Sequence, residues 1–388
     1  MDQGPGRMTV VAFLFWLAAG VVLYAYVGYP ALIHLAARLW PAPPVREDES
    51  TPTVTVVIAA HNEEACLGEK LRSVLALDYP RDRLEILVGS DGSTDRTEAI
   101  AAGFAESGVR LLAFPGPRGK AAVLNDVTAH ARGDILVMTD ARQTLAPDAV
   151  RRLVSCFADP MVGAVSGELH LLPSPDSPAR GVGLYWRYEK AVRQAESRFD
   201  STVGVTGALY ALRRALFKPL DPRTILDDVA VPMEIVLAGY RVLFAPKASA
   251  FDHIESDSRR EYRRKVRTLA GNYQLLALRP ALLDPLRNRL LWQLISHKVS
   301  RLAVPWCLLL LLLASALLAR AHWFYAMALV AQLAFYGLAL AGWRSARCQR
   351  PLRLTSLPYT FALLNLAAAS GLLGFLRGTT RATWKAAP

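Results

Sequence analysis

The sequence predicts an α/β domain with a mainly parallel central sheet, attached to transmembrane helices. Between residues 53 and 270, short β-branched runs alternate with helical stretches, which is typical of βαβ units. Apolar runs long enough to cross a bilayer lie on both sides of this region. Of the 388 residues, 53% are of apolar types, so the chain can form both a domain core and membrane helices.

The first apolar run extends from Val10 to Ala37, interrupted only by His34, and ends at residues typical of the membrane interface, Arg38 and Trp40. It is longer than the apolar part of a cleaved signal peptide and lacks a cleavage site. We therefore predict a retained transmembrane helix over residues 8–40, with Pro30 marking a kink or its end. A Pro-rich and then charged linker follows over residues 41–50.

The next region, residues 51–278, is predicted to be the α/β domain. Predicted strands run from Val54 to Ala60, Leu84 to Ser90, Val109 to Phe114, Ile135 to Thr139 and Val162 to Leu172. Predicted helices begin near Glu63, Thr94, Lys120 and Asp148. In open sheets of this kind, ligands bind beyond the carboxyl ends of the strands.

The remaining segments are predicted to lie on or in the membrane. Residues 281–302 mix apolar and basic residues, as an interfacial helix does. Residues 303–377 contain about three apolar stretches of spanning length, the first of them short.

Charge is concentrated in these C-terminal segments. From residue 281 onward there are 12 Lys and Arg and one acidic residue, giving +11 of the total +12. Because this charge flanks apolar runs, it indicates membrane orientation and contact with membrane lipids, and it argues against a nucleic-acid partner. With a cytosolic domain, the positive-inside rule places one basic loop in the cytosol: Arg344, Arg347, Arg350 and Arg353. The C-terminal Arg377, Arg381 and Lys385 would then lie outside, unless the last apolar stretch re-enters without crossing.

The four cysteines, Cys66, Cys156, Cys307 and Cys348, are too far apart in the chain for a zinc or redox motif. Reduced thiols fit a cytosolic domain.

Acidic residues follow two of the predicted strands. Asp91 follows the second strand, within a turn of glycine and hydroxyl residues that ends at Asp95, and it can accept hydrogen bonds from a base or a ribose. Asp140 follows the fourth strand, where a carboxylate needs a cation, hydroxyl or amide partner. For each of these residues the alternative is a turn or helix-cap role.

Two further motifs carry charge. Lys120 follows a glycine at a predicted helix start, where its charge and the helix dipole can hold a diphosphate, although a solvated surface lysine is the alternative. Asp227 and Asp228 are adjacent, and their repulsion can raise the pKa of one of them into the range of a general base. Their alternative role is to cap the following helix.

Basic residues recur at helical spacing farther along the chain: Arg260, Arg263, Arg264 and Arg267. On one helix face they can bind the pyrophosphate of a leaving group or anionic lipid. His253 is a weak candidate metal ligand, with a structural histidine as the alternative. There is no Gly-x-Gly-x-x-Gly motif and no Walker motif, which argues against dinucleotide enzymes and P-loop ATPases.

The order of these motifs resembles the membrane-embedded synthases of glycosyltransferase family 2, such as hyaluronan, cellulose and poly-N-acetylglucosamine synthases. The resemblance covers about residues 53–275. It rests on Val57 to Glu64, on the turn from Asp91 to Asp95, on Gly119-Lys120 with Leu124-Asn125, and on the later acidic residues.

The resemblance implies a nucleotide-sugar-binding domain of the glycosyltransferase A type. It implies that Asp228 is the catalytic base, that Asp91 contacts the base of the donor, and that Lys120 contacts its diphosphate. The full set of implied donor-binding residues is Ala60, Asn62, Glu63, Asp91, Lys120, Asp140, Arg264 and Arg267. Gly207 and Asp227 are expected on the acceptor side, and Asp140 at a divalent cation, Mg²⁺ or Mn²⁺.

These residues predict an inverting transfer from a nucleotide sugar, with a UDP-sugar expected, to a polysaccharide or lipid-linked acceptor. The expected location is a bacterial cytoplasmic membrane, with export or synthase proteins as possible partners. Two departures from the family pattern matter. Arg142 replaces the second Asp of Asp-x-Asp, which puts metal dependence in question. The Gln-x-x-Arg-Trp motif keeps only Arg267, which puts polymer formation in question.

Other functions remain as alternatives. One is a transferase that adds a single sugar to a lipid carrier. The others are a transporter or channel subunit, which the scarcity of charge within the spans disfavours, and an inactive sensor of a nucleotide sugar.

Overall fold

A computed structural model describes residues 5–172, 180–253, 258–347, 353–380 and 382. The basic loop and tail predicted from charge fall partly outside this range: Cys348, Arg350, Arg381 and Lys385 are not among the described residues.

The centre of the chain forms one eight-stranded sheet in the order β3-β2-β1-β4-β7-β6-β8-β5. The strands are β1 Val54–Ala60, β2 Leu84–Asp91, β3 Val109–Phe114, β4 Ile135–Asp140, β5 Thr144–Leu145, β6 Val162–Leu172, β7 Tyr210–Arg213 and β8 Arg241–His253. Strands β3, β2, β1 and β4 are parallel, β7 is antiparallel to both of its neighbours, and β5 is antiparallel to β8. The mainly parallel sheet of the prediction is therefore present.

All five predicted strands are present within one residue, but β5, β7 and β8 were not predicted. β5 has two residues and β7 has four, too few for an alternating pattern to show. β8 contains Pro246 and Lys247, which interrupt its apolar pattern. Its pairing with β6 shifts register at an irregularity next to Gly167.

Helices cover both faces of the sheet. The short helices are α3 Leu67–Leu75, α4 Thr97–Ala102, α5 Lys120–Ala129, α6 Ala149–Val154 and α8 Asp227–Leu237. One apolar core lies between the sheet and α3, α4 and α6, and the other between the sheet and α5 and α8. Residues of β1 alternate between the two cores, which is why the whole strand is apolar.

The starts of α5 and α6 agree with the prediction within one residue, whereas α3 and α4 begin later than predicted, at Leu67 and Thr97. Before α3 and α4 the chain forms two loops that hydrogen-bond to each other, and this delays both helices. The backbone N–H of Glu63 donates to Thr97 Oγ1 at 2.7 Å, and that of Thr94 donates to Asn62 Oδ1 at 2.8 Å.

Two longer helices connect the domain to the membrane helices. These are α7 Arg180–Phe199 and α9 Ser258–Leu278. The membrane helices comprise α1 Pro5–Leu23 and α2 Tyr29–Leu39, joined by a π-helical turn; α10 Leu291–Leu294 and α11 Ser300–Leu318, joined by another; α12 Trp323–Arg347; and α13 Arg353–Leu376. Helix α7 packs on α2, and α9 packs on α13.

Within the described residues, four helices are long and apolar enough to cross a membrane: Met8–Leu39, Leu291–Leu318, Trp323–Ser345 and Leu354–Leu376. The first contains Pro30, which lies just after the π-helical turn Tyr24–Gly28 and does not end the helix. The second differs from the prediction, because the interfacial segment 281–302 and the following span share one helix that continues through residue 302.

The C-terminal half of α13 lies against the α/β domain. Tyr262 of α9 and Ser370 are joined by a hydroxyl hydrogen bond of 2.9 Å, and Tyr273 stacks on Phe375. Gly371 allows this close packing, because a Cβ there would lie 2.9 Å from the backbone nitrogen of Ala270.

Candidate active site

The predicted charged residues meet at one edge of the sheet. Asp140 lies at the end of β4, Lys120 begins α5, and Asp227 and Asp228 begin α8. The Nζ atom of Lys120 is 2.8 Å from Asp140 Oδ1 and 3.0 Å from Asp227 Oδ2. We call Lys120, Asp140, Asp227 and Asp228 the strand-end cluster. The cluster brings together residues from three separate segments of the chain.

Lys120 is held as a cation in this cluster. Burial alone would lower the pKa of its ammonium group, but Asp140 and Asp227 outweigh that effect and keep the pKa well above its usual value. Lys120 is therefore charged at any physiological pH and can attract an anionic ligand.

Gly207 lies directly beside this ion pair. A Cβ at this position would lie 3.4 Å from Asp140 Oδ2 and 3.7 Å from Lys120 Nζ. Gly207 and Asp227, both predicted on the acceptor side, thus lie against the Lys120–Asp140 pair.

Asp91 is completely buried, and its carboxylate is occupied by the loop that precedes α5. The backbone N–H of Gly119 donates to Asp91 Oδ2 at 2.7 Å, and the N–H of Arg118 donates to both carboxylate oxygens at 3.0 Å. Gly119 has a φ of 100°, a conformation that favours glycine. Asp91 thereby fixes the turn that presents Lys120, and its predicted contact with a donor base stays a prediction.

The end of β1 lies next to the end of β4, which carries Asp140. Ala60 is buried, while Asn62 is exposed and has a φ of 56°. Burial raises the pKa of Glu63, opposed by a hydrogen bond from the Cys66 thiol and by the charge of Arg142. Nearby Asp140 and Asp95 also raise this pKa, so Glu63 lies within electrostatic range of the strand-end cluster.

Asp228 differs from an ordinary surface carboxylate in its pKa. Burial and the adjacent charge of Asp227 raise its pKa to about 6, although Lys120, Lys298 and Arg193 pull it down. A carboxylate with this pKa is mostly ionised at neutral pH and still accepts a proton readily.

The predicted arginines of α9 differ in position. Arg264 is exposed and pairs with Glu261 one turn earlier. Burial lowers the pKa of Arg267, opposed by Asp227, Asp140 and Asp228, so the guanidinium lies within electrostatic range of the cluster. Its Nη2 donates to the carbonyl of Ala382 at 3.3 Å, and its buried Nε has no hydrogen-bond partner within the described residues. The structure therefore brings Arg267, but not Arg264, to the cluster.

Arg142, which stands where the family has a second Asp, is paired with Asp252 at the end of β8. Its Nη2 lies 2.7 Å from Asp252 Oδ2, and Gln143 Nε2 donates to the same oxygen at 2.9 Å. His253 is exposed. Within the described residues, no three His, Cys, Asp or Glu side chains cluster closely enough to hold a metal ion by themselves.

Sequence reasoning missed Tyr210, the first residue of β7. Its side chain is 1% exposed, and its hydroxyl has no hydrogen-bond partner among the described residues. Burial and the charge of Asp227 raise its pKa well above the usual value, so the ring lies beneath the cluster. Recognising β7 as a strand would have placed Tyr210 in the core beside Lys120.

A second buried charged cluster lies where α7 meets the membrane helices. His297 Nδ1 lies 2.7 Å from Glu196 Oε1 and His297 Nε2 lies 3.0 Å from Glu189 Oε2, while Tyr29 donates to Glu196 Oε1 at 2.5 Å. Arg301 pairs with Glu189. We call Tyr29, Glu189, Glu196, His297 and Arg301 the membrane junction cluster. Because its members are up to 272 residues apart in the chain, no local motif reveals it.

Comparison with known proteins finds relatives of the α/β domain and of the whole fold. The family described as "Glycosyl transferase family 2" matches residues 55–220. A solved structure, the mannosyltransferase PcManGT from Pyrobaculum calidifontis in complex with GDP-Man and Mn²⁺, has a TM-score of 0.71 at 28% identity. The match covers 94% of this chain and 99% of that one. The likeness therefore includes the membrane helices as well as the sheet.

Two curated relatives are similar over the catalytic part. A probable glycosyltransferase, YdaM of Bacillus subtilis, is 27% identical, and the match covers 63% of this chain and 61% of the relative. The beta-monoglucosyldiacylglycerol synthase of Synechocystis sp. is 31% identical, with 60% and 52% covered. The chain thus spans between about half and three fifths of the length of these relatives. With the strand-end cluster and the family match together, the chain contains a glycosyltransferase family 2 domain with the A-type glycosyltransferase fold.

Proposed function

We propose that this protein is an inverting glycosyltransferase that moves a sugar from a nucleotide sugar to a saccharide or lipid-linked acceptor at a membrane surface. The observation that carries the proposal is the strand-end cluster, in which Lys120 contacts Asp140 and Asp227 beside a carboxylate, Asp228, whose pKa is about 6. In a displacement of a diphosphate by a hydroxyl, the fixed cation can stabilise the leaving group and the carboxylate can remove the proton of the hydroxyl.

In the proposed reaction, Asp228 removes the proton of the acceptor hydroxyl as its oxygen attacks the anomeric carbon of the donor. A new carbon–oxygen bond forms while the bond from that carbon to the diphosphate oxygen breaks. The nucleoside diphosphate leaves with the bonding electrons. The single displacement inverts the configuration of the sugar.

Negative charge develops on the departing diphosphate, and two side chains are in place to stabilise it. Lys120 stays cationic, and the buried Nε of Arg267 is available within the described residues. Because both are fixed before the reaction, little reorganisation is needed during the transfer.

A divalent cation fits this site only as part of a complex with the donor. Asp140 has one oxygen on Lys120, but its side chain is 39% exposed. Arg142 is committed to Asp252 and cannot ligate a cation. Since Mg²⁺ is often bound by one or two carboxylates together with substrate phosphates, Asp140 would hold the ion beside the diphosphate. The ion would supply further positive charge to the leaving group.

The nucleotide and sugar of the donor are proposals as well. The sequence resemblance favours a UDP-sugar, whereas the solved mannosyltransferase was captured with GDP-Man. Both kinds of donor, carrying a hexose or an N-acetylhexosamine, belong in a first test.

We propose a cytosolic catalytic domain with three crossings of the membrane. Helix α12 begins next to Phe15 and Leu311, at the end of the bundle remote from the domain. Its 25 residues return the chain toward the domain, where α13 starts. Since the C-terminal half of α13 packs on α9, both of its ends lie on the side of the domain. This arrangement keeps Arg344 and Arg377 on the same, cytosolic side, as the positive-inside rule prefers.

The proposal is tested by incubating the purified full-length protein with UDP-glucose, UDP-N-acetylglucosamine and GDP-mannose, with and without membrane lipid extract. Release of nucleoside diphosphate and sizing of the sugar product are the readouts. We expect turnover with one donor class, reduced by EDTA. Binding of a donor without any release would instead support the sensor function, and growth of the product beyond one sugar would separate a polymerase from a single-sugar transferase.

A further inference from the structure

A lysine of α3 is buried inside the α/β domain. Lys70 is 1% exposed, and its Nζ atom donates to Thr139 Oγ1 at 2.5 Å. Within the described residues, Lys70 makes no ion pair. Burial lowers its pKa to about 7, although Asp140 raises it, so the ammonium group is poorly stabilised at this place. An apolar side chain of similar size would be at least as stable here, and stability therefore does not explain the lysine.

Thr139 carries this contact to the end of β4. Ile135 and Val137 pack in the core on the α3 side of the sheet, and Thr139 continues this alternation. The next residue, Asp140, pairs with Lys120 of α5, which covers the opposite face. The end of β4 is therefore contacted by one lysine from each side of the sheet.

The hydroxyl of Thr139 also holds a turn. It donates to the backbone carbonyl of Ala208 at 2.6 Å while it accepts the hydrogen bond from Lys70. Gly207 and Ala208 are the central residues of a turn from Thr206 to Leu209, which is closed by a backbone hydrogen bond of 3.1 Å. Because a hydroxyl has a single hydrogen, donation from Lys70 leaves that hydrogen for Ala208. The three groups thus form one chain of hydrogen bonds.

The segment that contains this turn contacts two members of the strand-end cluster. A Cβ at Gly207 would lie 3.4 Å from Asp140 Oδ2. Two residues earlier, the backbone N–H of Val205 donates to the carbonyl of Asp228 at 2.9 Å. A displacement of this segment would therefore move the backbone of Asp228 relative to Asp140.

We propose that Lys70 is a positioning residue for glycosyl transfer. Through Thr139 it fixes the turn Thr206–Leu209 against the end of β4, and the segment of this turn keeps Asp228 at a fixed position relative to Asp140. The inference rests on the proposed function, and it assigns to Lys70 no contact with either substrate. Loss of the ammonium group should therefore lower the rate of transfer without lowering the stability of the fold.

The variant Lys70→Met tests this separation, because methionine keeps most of the length of the side chain and removes the ammonium group. Transfer is measured on the full-length protein in detergent, with membrane lipid extract and UDP-glucose, UDP-N-acetylglucosamine or GDP-mannose. We expect kcat to fall about 10–10²-fold, as small displacements of reacting groups do. The melting temperature should stay the same or rise, and the affinity for UDP or GDP, measured by calorimetry, should be unchanged.

The control is Lys247→Met, which changes an exposed lysine on β8 and should leave transfer and melting temperature unaltered. Normal transfer by Lys70→Met would overturn the proposal. A melting temperature that falls together with transfer would overturn it as well, because Lys70 would then have a structural role alone. Absence of turnover in the unmodified protein would instead contradict the proposed function, so the two failures are distinguishable.

Changes at Thr139 test the chain of hydrogen bonds. Thr139→Ser keeps the hydroxyl and should retain most of the transfer. Thr139→Val should lower both transfer and melting temperature, because Lys70 is left buried without an acceptor. Adding Lys70→Met to Thr139→Val removes that unpaired group, so the melting temperature should recover while transfer stays low. Recovery of transfer together with the melting temperature would contradict the assignment.

Discussion

Burial favours a raised pKa for both Asp228 and Glu189, but the charges around them shift the two pKa values in opposite directions. In the strand-end cluster, the adjacent Asp227 adds to burial, and the pKa of Asp228 rises to about 6. In the membrane junction cluster, burial would also raise the pKa of Glu189, but Arg301 and His297 outweigh it and hold the pKa well below its usual value. A buried carboxylate beside a like charge has a raised pKa and can accept a proton near neutral pH. A buried carboxylate surrounded by cations has a lowered pKa, stays ionised, and joins two parts of the structure by ion pairs.

The strongest test of this contrast removes the carboxylate of Asp228. We expect Asp228→Asn to lower the rate of sugar transfer by about 10²–10⁴-fold, because general-base catalysis is lost while the shape of the side chain is kept. Nucleoside diphosphate binding, measured by calorimetry, should persist. Turnover close to that of the unmodified protein would remove Asp228 from this role.

The corresponding change at the junction should affect stability instead. We expect Glu189→Gln to cost about 3–5 kcal/mol, because Arg301 would be left buried without its counter-charge. Because the pKa of Glu189 is depressed, its contribution is present above the usual carboxyl pKa and is lost as the pH falls below it. Thermal unfolding in detergent measures the effect, and Glu106→Gln, an exposed glutamate, provides the control. An unchanged melting temperature would show that the junction is not a stabilising cluster.

The pH dependence of transfer distinguishes the two carboxylates further. Since Asp228 must be ionised to accept a proton, we expect kcat/KM to fall about tenfold per pH unit below about pH 6 and to level off above it. Asp227→Asn removes the repulsion and should move the midpoint to lower pH, provided that transfer remains measurable. A profile that is flat between about pH 5 and about pH 8 would contradict this assignment.

The smallest expected effect concerns Tyr210. Its buried hydroxyl lacks a partner within the described residues, so Tyr210→Phe should stabilise the protein by about 1 kcal/mol or leave it unchanged. Transfer should also change little, because the ring still fills its place beneath Lys120. A large loss of activity with normal stability would instead show that the hydroxyl contacts substrate.

The sequence was most informative where function depends on strand ends. Because parallel strands bring their carboxyl ends to one edge, the position of Asp140 could be predicted from a local run. Lys120 was predicted from the glycine before its helix, and Asp228 from its acidic neighbour and the family resemblance. Asp252, the partner of Arg142, is 110 residues away on β8, whose apolar pattern is interrupted by Pro246. Local patterns could therefore not reveal this pair. Tyr210 was missed for a similar reason, since a strand of four residues shows no clear alternation.

The sequence predicted which segments form membrane helices, but it did not predict how these helices contact the α/β domain. Apolar length identifies each helix, but the junction depends on single polar residues of α2, α7 and the helix Leu291–Leu318 that meet only after folding. A polar residue inside an apolar or amphipathic helix indicates a buried interaction, but it does not identify the residue that it contacts.

The start of the helix Leu291–Leu318 has a practical consequence. Leu290 and Leu294 are buried in the same apolar core as α5 and α8, together with Leu282. A chain cut after α9 would therefore expose part of this apolar core to solvent. The α/β domain thus shares its interior with the start of a membrane helix, and we expect a stable preparation to need the whole chain in lipid or detergent.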